Sequence, residues 1–205
     1  MGDDRTGTVR WYSPDPRAHL PLTAFHIPHN LRRRVRRREF AVTSDTAFEE
    51  VIRACADRDR TWITPRIVRA YTRLHDRGSA HSVECWQEGS LAGGLYGVAL
   101  GGAFFGDSMF FRVSNASKVA LVHLVRQMRA GGFSLLDTQY STAHLERFGV
   151  VEIPRSDYLE RLERARALAP TWWPLTAAEA ADLDRPVSDL ADDPVAEGNE
   201  GDAHG

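Results

Sequence analysis

An acidic residue at the end of an apolar segment is the most informative chemical feature of this sequence. Asp137 follows Leu135 and Leu136, and Gln139 comes two positions later. Residues two apart in a strand share a face, so the carboxylate and the amide would lie side by side, where they could hold a substrate amine or accept its proton. Burying a carboxylate without a partner is costly, so a structural carboxylate satisfied by an arginine or a helix amino terminus is the alternative interpretation.

A second carboxylate, Asp107, stands beside large apolar residues in the segment 107–111. This mixture fits either a pocket lining or core packing. Ser108 has no Gly-x-Ser-x-Gly sequence around it, so we do not expect a nucleophilic serine. The histidines lack His-Glu-x-x-His spacing, and Cys55 and Cys85 form no CxxC pair. We therefore expect reduced cysteines, no metal site and no cofactor.

The charge of the chain is divided unevenly. From Leu175 onward there are nine acidic residues and only Arg185 as a base, which leaves 25 basic and 19 acidic residues in the rest of the chain. Six of the seven residues between positions 32 and 38 are arginines. Such a run suits a polyphosphate backbone, and a solvated basic helix face is the alternative.

The sequence has no apolar run of the roughly 18 residues that a membrane helix needs. The start, Met1-Gly2-Asp3-Asp4, lacks the basic and apolar regions of a signal peptide. At 205 residues with 42% hydrophobic content, the chain is long enough for an ordinary globular fold. We expect a cytoplasmic protein that does not contact membranes, with a monomer as the default state.

The first half of the chain is predicted to be mainly helical. One helix is expected over Asp45 to Ala56, capped by Ser44 or Asp45, and a second over Pro65 to Asp76, with Thr64 as its cap.

From His81 onward, β-prone segments predict a meander that turns at 88–90 and at Gly101-Gly102. The glycine-rich stretch 93–102 lacks the lysine of a P-loop, so its glycines are expected to let another backbone or a ligand approach closely.

Further elements are predicted after the meander. They are a helix over 116–129 capped by Asn115, a strand over 133–139, a short helix over 142–148, a strand over 150–153 and a helix over 156–167. Together the elements predict an α+β fold. The expected division is a disordered amino terminus (1–10), a small amino-terminal domain with the basic cluster (11–80), a catalytic domain (81–176) and a disordered acidic tail (177–205).

A series of motifs in a fixed order resembles the bacterial leucyl/phenylalanyl-tRNA-protein transferases over about residues 11 to 165. The segments that carry the resemblance are Trp11-Tyr12-Ser13-Pro14-Asp15-Pro16-Arg17-Ala18, Thr61-Trp62-Ile63-Thr64, Ala70-Tyr71-x-Arg73-Leu74-His75, His81-Ser82-Val83-Glu84-x-Trp86, Gly93-Gly94-Leu95-Tyr96-Gly97-Val98, Gly106-Asp107-Ser108-Met109-Phe110, Asn115-Ala116-Ser117-Lys118, Leu136-Asp137-x-Gln139 and Ile153-Pro154-Arg155-x-Asp157-Tyr158-Leu159. One such motif is weak evidence, whereas nine in the order of the family are strong evidence.

The resemblance implies a GNAT-like acyltransferase domain preceded by a small, mainly helical amino-terminal domain. It implies an aminoacyltransferase that takes leucine or phenylalanine from leucyl-tRNA or phenylalanyl-tRNA. The acceptors would be proteins with an amino-terminal Lys or Arg, which the added residue marks for N-end-rule degradation. A relative with weakened catalysis that binds tRNA acceptor ends or protein amino termini is the alternative, and a transferase with another acyl donor is a third hypothesis.

The resemblance also assigns roles to residues. Asp137 and Gln139 fall at the reaction centre: Asp137 would be a base or electrostatic anchor for the acceptor amine, or would pair with the acceptor's Lys or Arg side chain, and Gln139 would orient the amine. The remaining positions contact the donor. Those expected around the aminoacyl side chain are Leu95, Asp107, Met109 and Leu136; those near the terminal adenosine are Trp62 and Tyr71; those on the acceptor stem are Arg32, Arg33, Arg34, Arg36, Arg37 and Arg38.

The sequence departs from the family pattern in several places. The family's Gly-Gly-Asp-Leu and Gly-Ile-Phe-Pro-Trp motifs do not precede Trp11, so we expect fewer aromatic contacts to the adenosine. Asp107 replaces the usual glutamate, and Phe111 stands where serine is common, so the pocket size is expected to differ. The acidic tail is not a family feature, and it could compete with tRNA for the arginine run.

Overall fold

The computed structural model describes residues 12–173 and residue 176. The predicted disorder of residues 1–10 and of the acidic tail over 177–205 lies outside the described residues, as does Trp11. Within the described ranges, none of the helices combines the length and the apolar character that a bilayer span requires.

A seven-stranded sheet forms the centre of the fold. Its strands are β1 (Arg17–Leu20), β2 (Ala41–Ser44), β3 (Ala80–Gln87), β4 (Ser90–Leu100), β5 (Ala103–Phe111), β6 (Leu135–Gln139) and β7 (Val151–Ile153). They lie in the order β2-β3-β4-β5-β6-β1-β7. All neighbours are antiparallel except β5 and β6, which run parallel.

Helices cover both faces of the sheet. They are α1 (His29–Arg36), α2 (Phe48–Ala56), α3 (Pro65–Asp76), α4 (Ala116–Ala130), α5 (Ala143–Glu146) and α6 (Arg155–Arg166), with a 3₁₀ turn over Leu22–Ala24. Helix α4 is buried on most sides and packs, together with α1, against one face of the sheet. Helices α2, α3 and α6 pack on the other face. The fold is therefore the mixed α and β architecture that the sequence predicts.

The β-meander is confirmed. Strands β3 and β4 are joined by the two-residue loop Glu88-Gly89, and both residues have positive φ, 52° and 75°. Such loops match the twist of the flanking strands because both central residues adopt the left-handed region. Gly101, with φ of 53°, turns the chain again between β4 and β5.

Helix α3 begins and ends where the sequence predicts. The hydroxyl of Thr64 accepts a hydrogen bond from the backbone N–H of Ile67 at 3.4 Å, and Pro65 occupies the first turn, where its missing N–H costs nothing. Helix α4 also lies as predicted, but Asn115 does not cap it through its side chain. The Asn115 Oδ1 instead accepts a hydrogen bond from Lys118 Nζ at 3.2 Å.

The predicted start of helix α2, which precedes α3, is wrong. Helix α2 begins at Phe48, three residues later than expected, and neither Ser44 nor Asp45 caps it. The Asp45 carboxylate instead accepts hydrogen bonds from the backbone N–H of Ser82 at 2.9 Å and from Trp172 Nε1 at 2.8 Å. The Asp45 carboxylate therefore makes hydrogen bonds to residues distant in sequence instead of capping the helix.

Strand β1 was not predicted. It has only four residues, and it lies between β6 and β7. Strands β1 and β2 belong to the section predicted as the small amino-terminal domain, and they share one sheet with the strands that follow residue 80. The division into two domains at residue 80 stays a prediction.

The glycines of β4 permit the close approach that the sequence predicts. A Cβ atom built on Gly94 would lie 2.7 Å from the backbone oxygen of Val83. At Gly97 the same atom would lie 2.2 Å from the oxygen of Phe105 and 2.5 Å from the ring of Phe104. The sheet can pack as it does only because these positions carry no side chain.

We expect the substitution Gly97→Ala to lower the free energy of unfolding by about 3 kcal/mol, because the added methyl overlaps a backbone oxygen that cannot move aside. Gly106→Ala is the matched control, since its Cβ would have only one neighbour, at an ordinary 3.4 Å. Urea unfolding of both variants measures the difference. Equal stabilities for the two variants would contradict this account of the sheet.

Candidate active site

A cleft opens where two parallel strands separate. The pairing of β5 with β6 ends at Phe105 and Asp137. Beyond that point each strand continues its pairing with its other neighbour. In β5, Gly106 lies opposite Gly97 of β4, and in β6, Gln139 lies opposite Ala18 of β1. The two halves of the sheet thus diverge, and side chains from both line the space between them.

This cleft has a volume of about 330 Å³, which is at the small end for a ligand site. Its apolar wall is formed by Leu95, Met109, Leu121, Leu124, Leu136 and Leu145. Its polar wall is formed by Arg58, Tyr96, Asp107, Ser108, Thr138, Thr142 and His144. The cleft therefore suits a small apolar group attached to a polar one.

Three buried oxygen atoms in the wall of the cleft have no hydrogen-bond partner within the described part of the chain. They are Tyr96 Oη, Asp107 Oδ2 and Thr138 Oγ1. Buried polar groups are almost always paired in native proteins, because an unpaired group loses its hydration without compensation. Their clustering around one cavity indicates a site that a polar ligand completes.

Asp107 is the carboxylic acid in the wall of the cleft, and this arrangement strongly raises its pKa. Burial, with a smaller contribution from the charge of Asp137, raises its pKa from the ordinary 3.8 to about 7, against the lowering effect of a hydrogen bond from Tyr71. The pKa of Tyr71 is itself raised, by burial and by the charge of Asp107. Near neutral pH the Asp107 carboxyl can thus exist in both forms.

Asp137 occupies a different environment on the same strand pair. It is fully buried, and its Oδ1 accepts hydrogen bonds from Arg17 Nε at 3.2 Å and from the backbone N–H of Gln139 at 2.6 Å. Its Oδ2 accepts from Arg17 Nη2 and from Tyr158 Oη. Burial would lower the pKa of Arg17, but the hydrogen bond and the charge of Asp137 raise it overall. The carboxylate is therefore neutralised by an arginine, and it does not line the cleft.

Gln139 connects Asp137 to the cleft. It has a positive φ of 65°, a conformation held by its backbone hydrogen bond to Asp137. Its side-chain Nε2 lies 3.4 Å from the oxygen of Gly106, a residue in the cleft wall. The Gln139 side chain also lies close enough to hydrogen-bond with Asp107.

Trp62 and Tyr71 lie beside each other next to the cleft. Their ring centroids are 6.5 Å apart, and Tyr71 packs edge-on against Tyr96 at 5.5 Å. Both side chains are partly exposed. An aromatic surface thus adjoins the polar wall of the cleft.

The arginine run forms most of α1 and the turn that follows it. Leu31 and Val35 pack into the core, and five of the arginines, Arg32, Arg33, Arg36, Arg37 and Arg38, are exposed. Arg34 is partly buried and forms an ion pair with Glu39 at 2.6 Å. None of the six lines the cleft.

Among the described residues, no group of three or more His, Cys, Asp or Glu side chains is arranged to hold a metal ion. Cys55 and Cys85 are free thiols, both buried. Burial raises the pKa of Cys55 to about 12, so it is not a reactive thiolate.

Comparison with known proteins places this chain in a family. The family model for leucyl/phenylalanyl-tRNA protein transferases matches residues 19–163. The chain belongs to this family. It is 73% identical to the leucyl/phenylalanyl-tRNA–protein transferase of Salinibacter ruber, over 100% of this chain and 91% of that protein. The transferase of Gloeobacter violaceus is 54% identical over 82% of this chain and 87% of its own length.

Of the fourteen residues that the transferase resemblance assigns, the structure brings seven together at the cleft. Leu95, Asp107, Met109 and Leu136 line the one cleft, with Trp62 and Tyr71 beside it. Gln139 reaches the wall, whereas Asp137 lies behind it. The arginine run lies apart from this group.

Sequence reasoning missed both partners of Asp137 and the cleft residue Tyr96. Arg17 and Tyr158 stand within the transferase motifs, but no role was assigned to them, and Tyr96 stands in the glycine-rich stretch. An arginine and a tyrosine distant in sequence from Asp137 give no local signal of contact. The one general indication of such a contact is that a buried carboxylate needs a cationic partner.

The raised pKa of Asp107 predicts how stability depends on pH. Its native pKa is about 7 and its ordinary value is 3.8, so the stability contributed by the neutral carboxyl is complete below about pH 4 and is lost as the pH rises through 7. We expect the variant Asp107→Asn to exceed the unmodified chain in free energy of unfolding by about 2 to 4 kcal/mol at pH 8, and by little at pH 4.

Urea unfolding at the two pH values measures this difference. Glu152→Gln, at an exposed carboxylate on β7, serves as the control and should behave like the unmodified chain at both. A stability difference for Asp107→Asn that does not grow with pH would contradict the proposed protonation of the buried carboxyl.

Proposed function

We propose that this chain transfers leucine or phenylalanine from aminoacyl-tRNA to the amino terminus of acceptor proteins that begin with Lys or Arg. The observation that carries this proposal is the small apolar cleft, in whose wall three oxygen atoms have no hydrogen-bond partner among the described residues. The chemistry needs an apolar pocket for one side chain and polar groups for an ester and an amine. Family membership supplies the class of donor.

The apolar wall is proposed to receive the donor side chain. Leu95, Met109 and Leu136 surround it with aliphatic and thioether groups, and Met in particular adapts to different shapes. Such a wall accepts both leucine and phenylalanine. It rejects charged side chains, because they would lose hydration without gaining a partner.

Asp107 is proposed to take the first proton from the acceptor. A free α-amine has a pKa near 7.7 to 8, close to the value of about 7 for Asp107, so proton exchange between the two is nearly balanced. The neutral nitrogen then attacks the ester carbonyl carbon. As the carbon–nitrogen bond forms and the carbon–oxygen bond to the ribose breaks, the second proton passes from the nitrogen to the ribose oxygen. The step needs no cofactor.

Asp137 is proposed to act through Gln139 as a positioning residue. Its burial and its contacts with Arg17 and Tyr158 support an anchoring role over direct proton transfer. Arg17 also occupies the place that an acceptor's Lys or Arg side chain would otherwise take. Holding Gln139 beside Asp107 would fix the direction from which the amine approaches, and such positioning is a large part of the rate for an ester aminolysis.

The donor tRNA is proposed to contact two further surfaces. Trp62 and Tyr71 offer aromatic faces beside the cleft, where the terminal adenosine would stack. The exposed arginines of the run suit the phosphates of the acceptor stem. Use of tRNA as the donor supports a cytoplasmic location, and the added residue would mark acceptors for N-end-rule degradation. A monomer holds every residue that the proposal uses.

The divergence of the parallel strands β5 and β6 supports a GNAT-like arrangement of the sheet. In such an arrangement the acyl group enters where the two strands part. The cleft lies at that point, so the proposed fold assignment and the proposed site agree on where the ester would bind.

We expect Asp107→Asn to lower kcat for leucine transfer at least 100-fold, because the amide cannot accept a proton. The assay follows labelled leucine from leucyl-tRNA to a peptide that begins with Lys. The unmodified chain should gain activity as the pH rises through about 7, and the variant should keep only the dependence due to the amine itself. Glu152→Gln should match the unmodified chain.

Absence of transfer by the unmodified chain would contradict the proposed activity. Binding of tRNA without transfer would favour the alternative hypothesis of a relative with weakened catalysis. Retention of half the activity by Asp107→Asn would instead exclude this residue as the proton acceptor while leaving the activity intact.

For the arginine run, we expect tRNA binding to weaken as salt rises, with a slope that reports the number of phosphates contacted. The double variant Arg33→Gln/Arg37→Gln should reduce that slope in a log–log plot by about two, since each lost contact removes about one. Arg34→Gln is the matched control, because Arg34 is already paired with Glu39. Fluorescence anisotropy between 50 and 200 mM salt measures the slopes, and identical slopes for all three proteins would refute the assignment.

A further inference from the structure

A second cavity adjoins the cleft. It has a volume of about 670 Å³ and shares Arg58, Met109 and His144 with the cleft wall. The rest of its lining comes from the end of β5, the amino terminus of α4 and the end of α2. Those residues are Ala54, Asp57, Phe110, Phe111, Arg112, Ser114, Asn115, Ser117 and Lys118. We call this space the basic cavity.

Cations dominate the lining of the basic cavity. Arg58, Arg112 and Lys118 contribute three positive charges, against one acidic side chain, Asp57. Neutral groups hold all three cations in place: Arg58 donates to Ser108 Oγ at 3.3 Å, and Arg112 donates to the Leu91 carbonyl at 3.1 Å.

The third cation, Lys118, donates to Asn115 Oδ1 at 3.2 Å. Across the described residues, none of the three cations forms an ion pair with a carboxylate. Their charge remains available to an anion.

An exposed aromatic ring borders the same space. Phe111 is 64% exposed, whereas its neighbour Phe110 is buried beneath the guanidinium of Arg112 at 5.5 Å. Proteins that bind single-stranded nucleic acid combine a positively charged groove with aromatic side chains on which bases stack. The basic cavity has both features beside the proposed aminoacyl site.

We propose that the basic cavity binds the phosphate group that joins the terminal adenosine of the tRNA to the nucleotide before it, with Phe111 stacking on the base of that nucleotide. This inference rests on the proposed function and extends it to the unpaired 3′ end of the donor. It gives a role to the motif Asn115-Ala116-Ser117-Lys118, which the aminoacyl site does not use.

The charge of the basic cavity argues against the acceptor protein as its occupant. Acceptors that begin with Lys or Arg carry two positive charges at their first residue, the α-ammonium and the side chain. The three cations repel such a residue, whereas Asp107, which lines the cleft but not the basic cavity, attracts it. The donor and the acceptor would thus be drawn to regions of opposite charge.

Two small donors isolate the contribution of the nucleotide before the terminal adenosine. One is 3′-leucyl-adenosine, which has no phosphate, and the other is 3′-leucyl-cytidylyl-adenosine, which adds one phosphate and one base. We expect Lys118→Met and Arg112→Gln to raise KM about tenfold for the second donor. KM for the first donor and kcat for both should stay within about twofold, and Lys118→Arg should restore the unmodified values.

Phe111→Ser tests the stacked base. We expect it to raise KM for 3′-leucyl-cytidylyl-adenosine at least fivefold and to leave KM for 3′-leucyl-adenosine unchanged, because only the larger donor has a second base. Arg164→Gln, at an exposed arginine on α6 outside the basic cavity, controls for general loss of charge. It should change neither KM.

Equal losses for both donors in Lys118→Met would overturn the inference, since they would indicate a structural role. A change confined to the KM of the acceptor peptide would also overturn it. If the unmodified chain transfers from neither small donor nor from leucyl-tRNA, the proposed function fails, and calorimetric binding of uncharged cytidylyl-adenosine decides the inference separately. Weaker binding by Lys118→Met then supports it, and equal binding overturns it.

Discussion

The buried contact between Arg17, Asp137 and Tyr158 is the interaction on which the rest of the site depends. It ties β1, β6 and α6 together at the point where β6 leaves β5. A carboxylate with no exposure would strongly destabilise the fold if its cation were absent. Because the contact is satisfied, this side of the cleft is held firmly, and Gln139 is presented by a backbone hydrogen bond rather than by a flexible loop.

The opposite side of the cleft is held in a different way, by close backbone packing. Strand β4 comes close to its neighbours through its glycines, and β5 presents Asp107 without a full set of partners. Two aspartates thus face unlike environments: Asp137 is compensated by an arginine, and Asp107 is buried with one oxygen that no described residue pairs. Environment, rather than residue type, separates a structural carboxylate from one suited to exchange protons.

How much the sequence predicts depends on how local the cause is. Helix α3 and the meander were predicted well because Thr64, Pro65 and Glu88-Gly89 act on their immediate neighbours. Strand β1 and the start of α2 were not, since β1 pairs with strands more than a hundred residues away and Asp45 bonds to Trp172. At the site, the family motifs contain four residues that line one cleft, but contacts across 120 positions, such as Arg17 with Asp137, leave no local pattern.

The arrangement of charge around the cleft bears on how two substrates of opposite sign could share one small site. Arg58, Arg112 and Lys118 line the basic cavity, whereas Asp107 lines the cleft and not the basic cavity. A polyanionic donor would be attracted to the basic cavity and a cationic acceptor to Asp107, so neither blocks the position of its partner. Attraction of this kind weakens with distance and with salt. The cleft and the basic cavity share lining residues and therefore lie close together. This short distance would help the charges to keep the donor and the acceptor in separate positions.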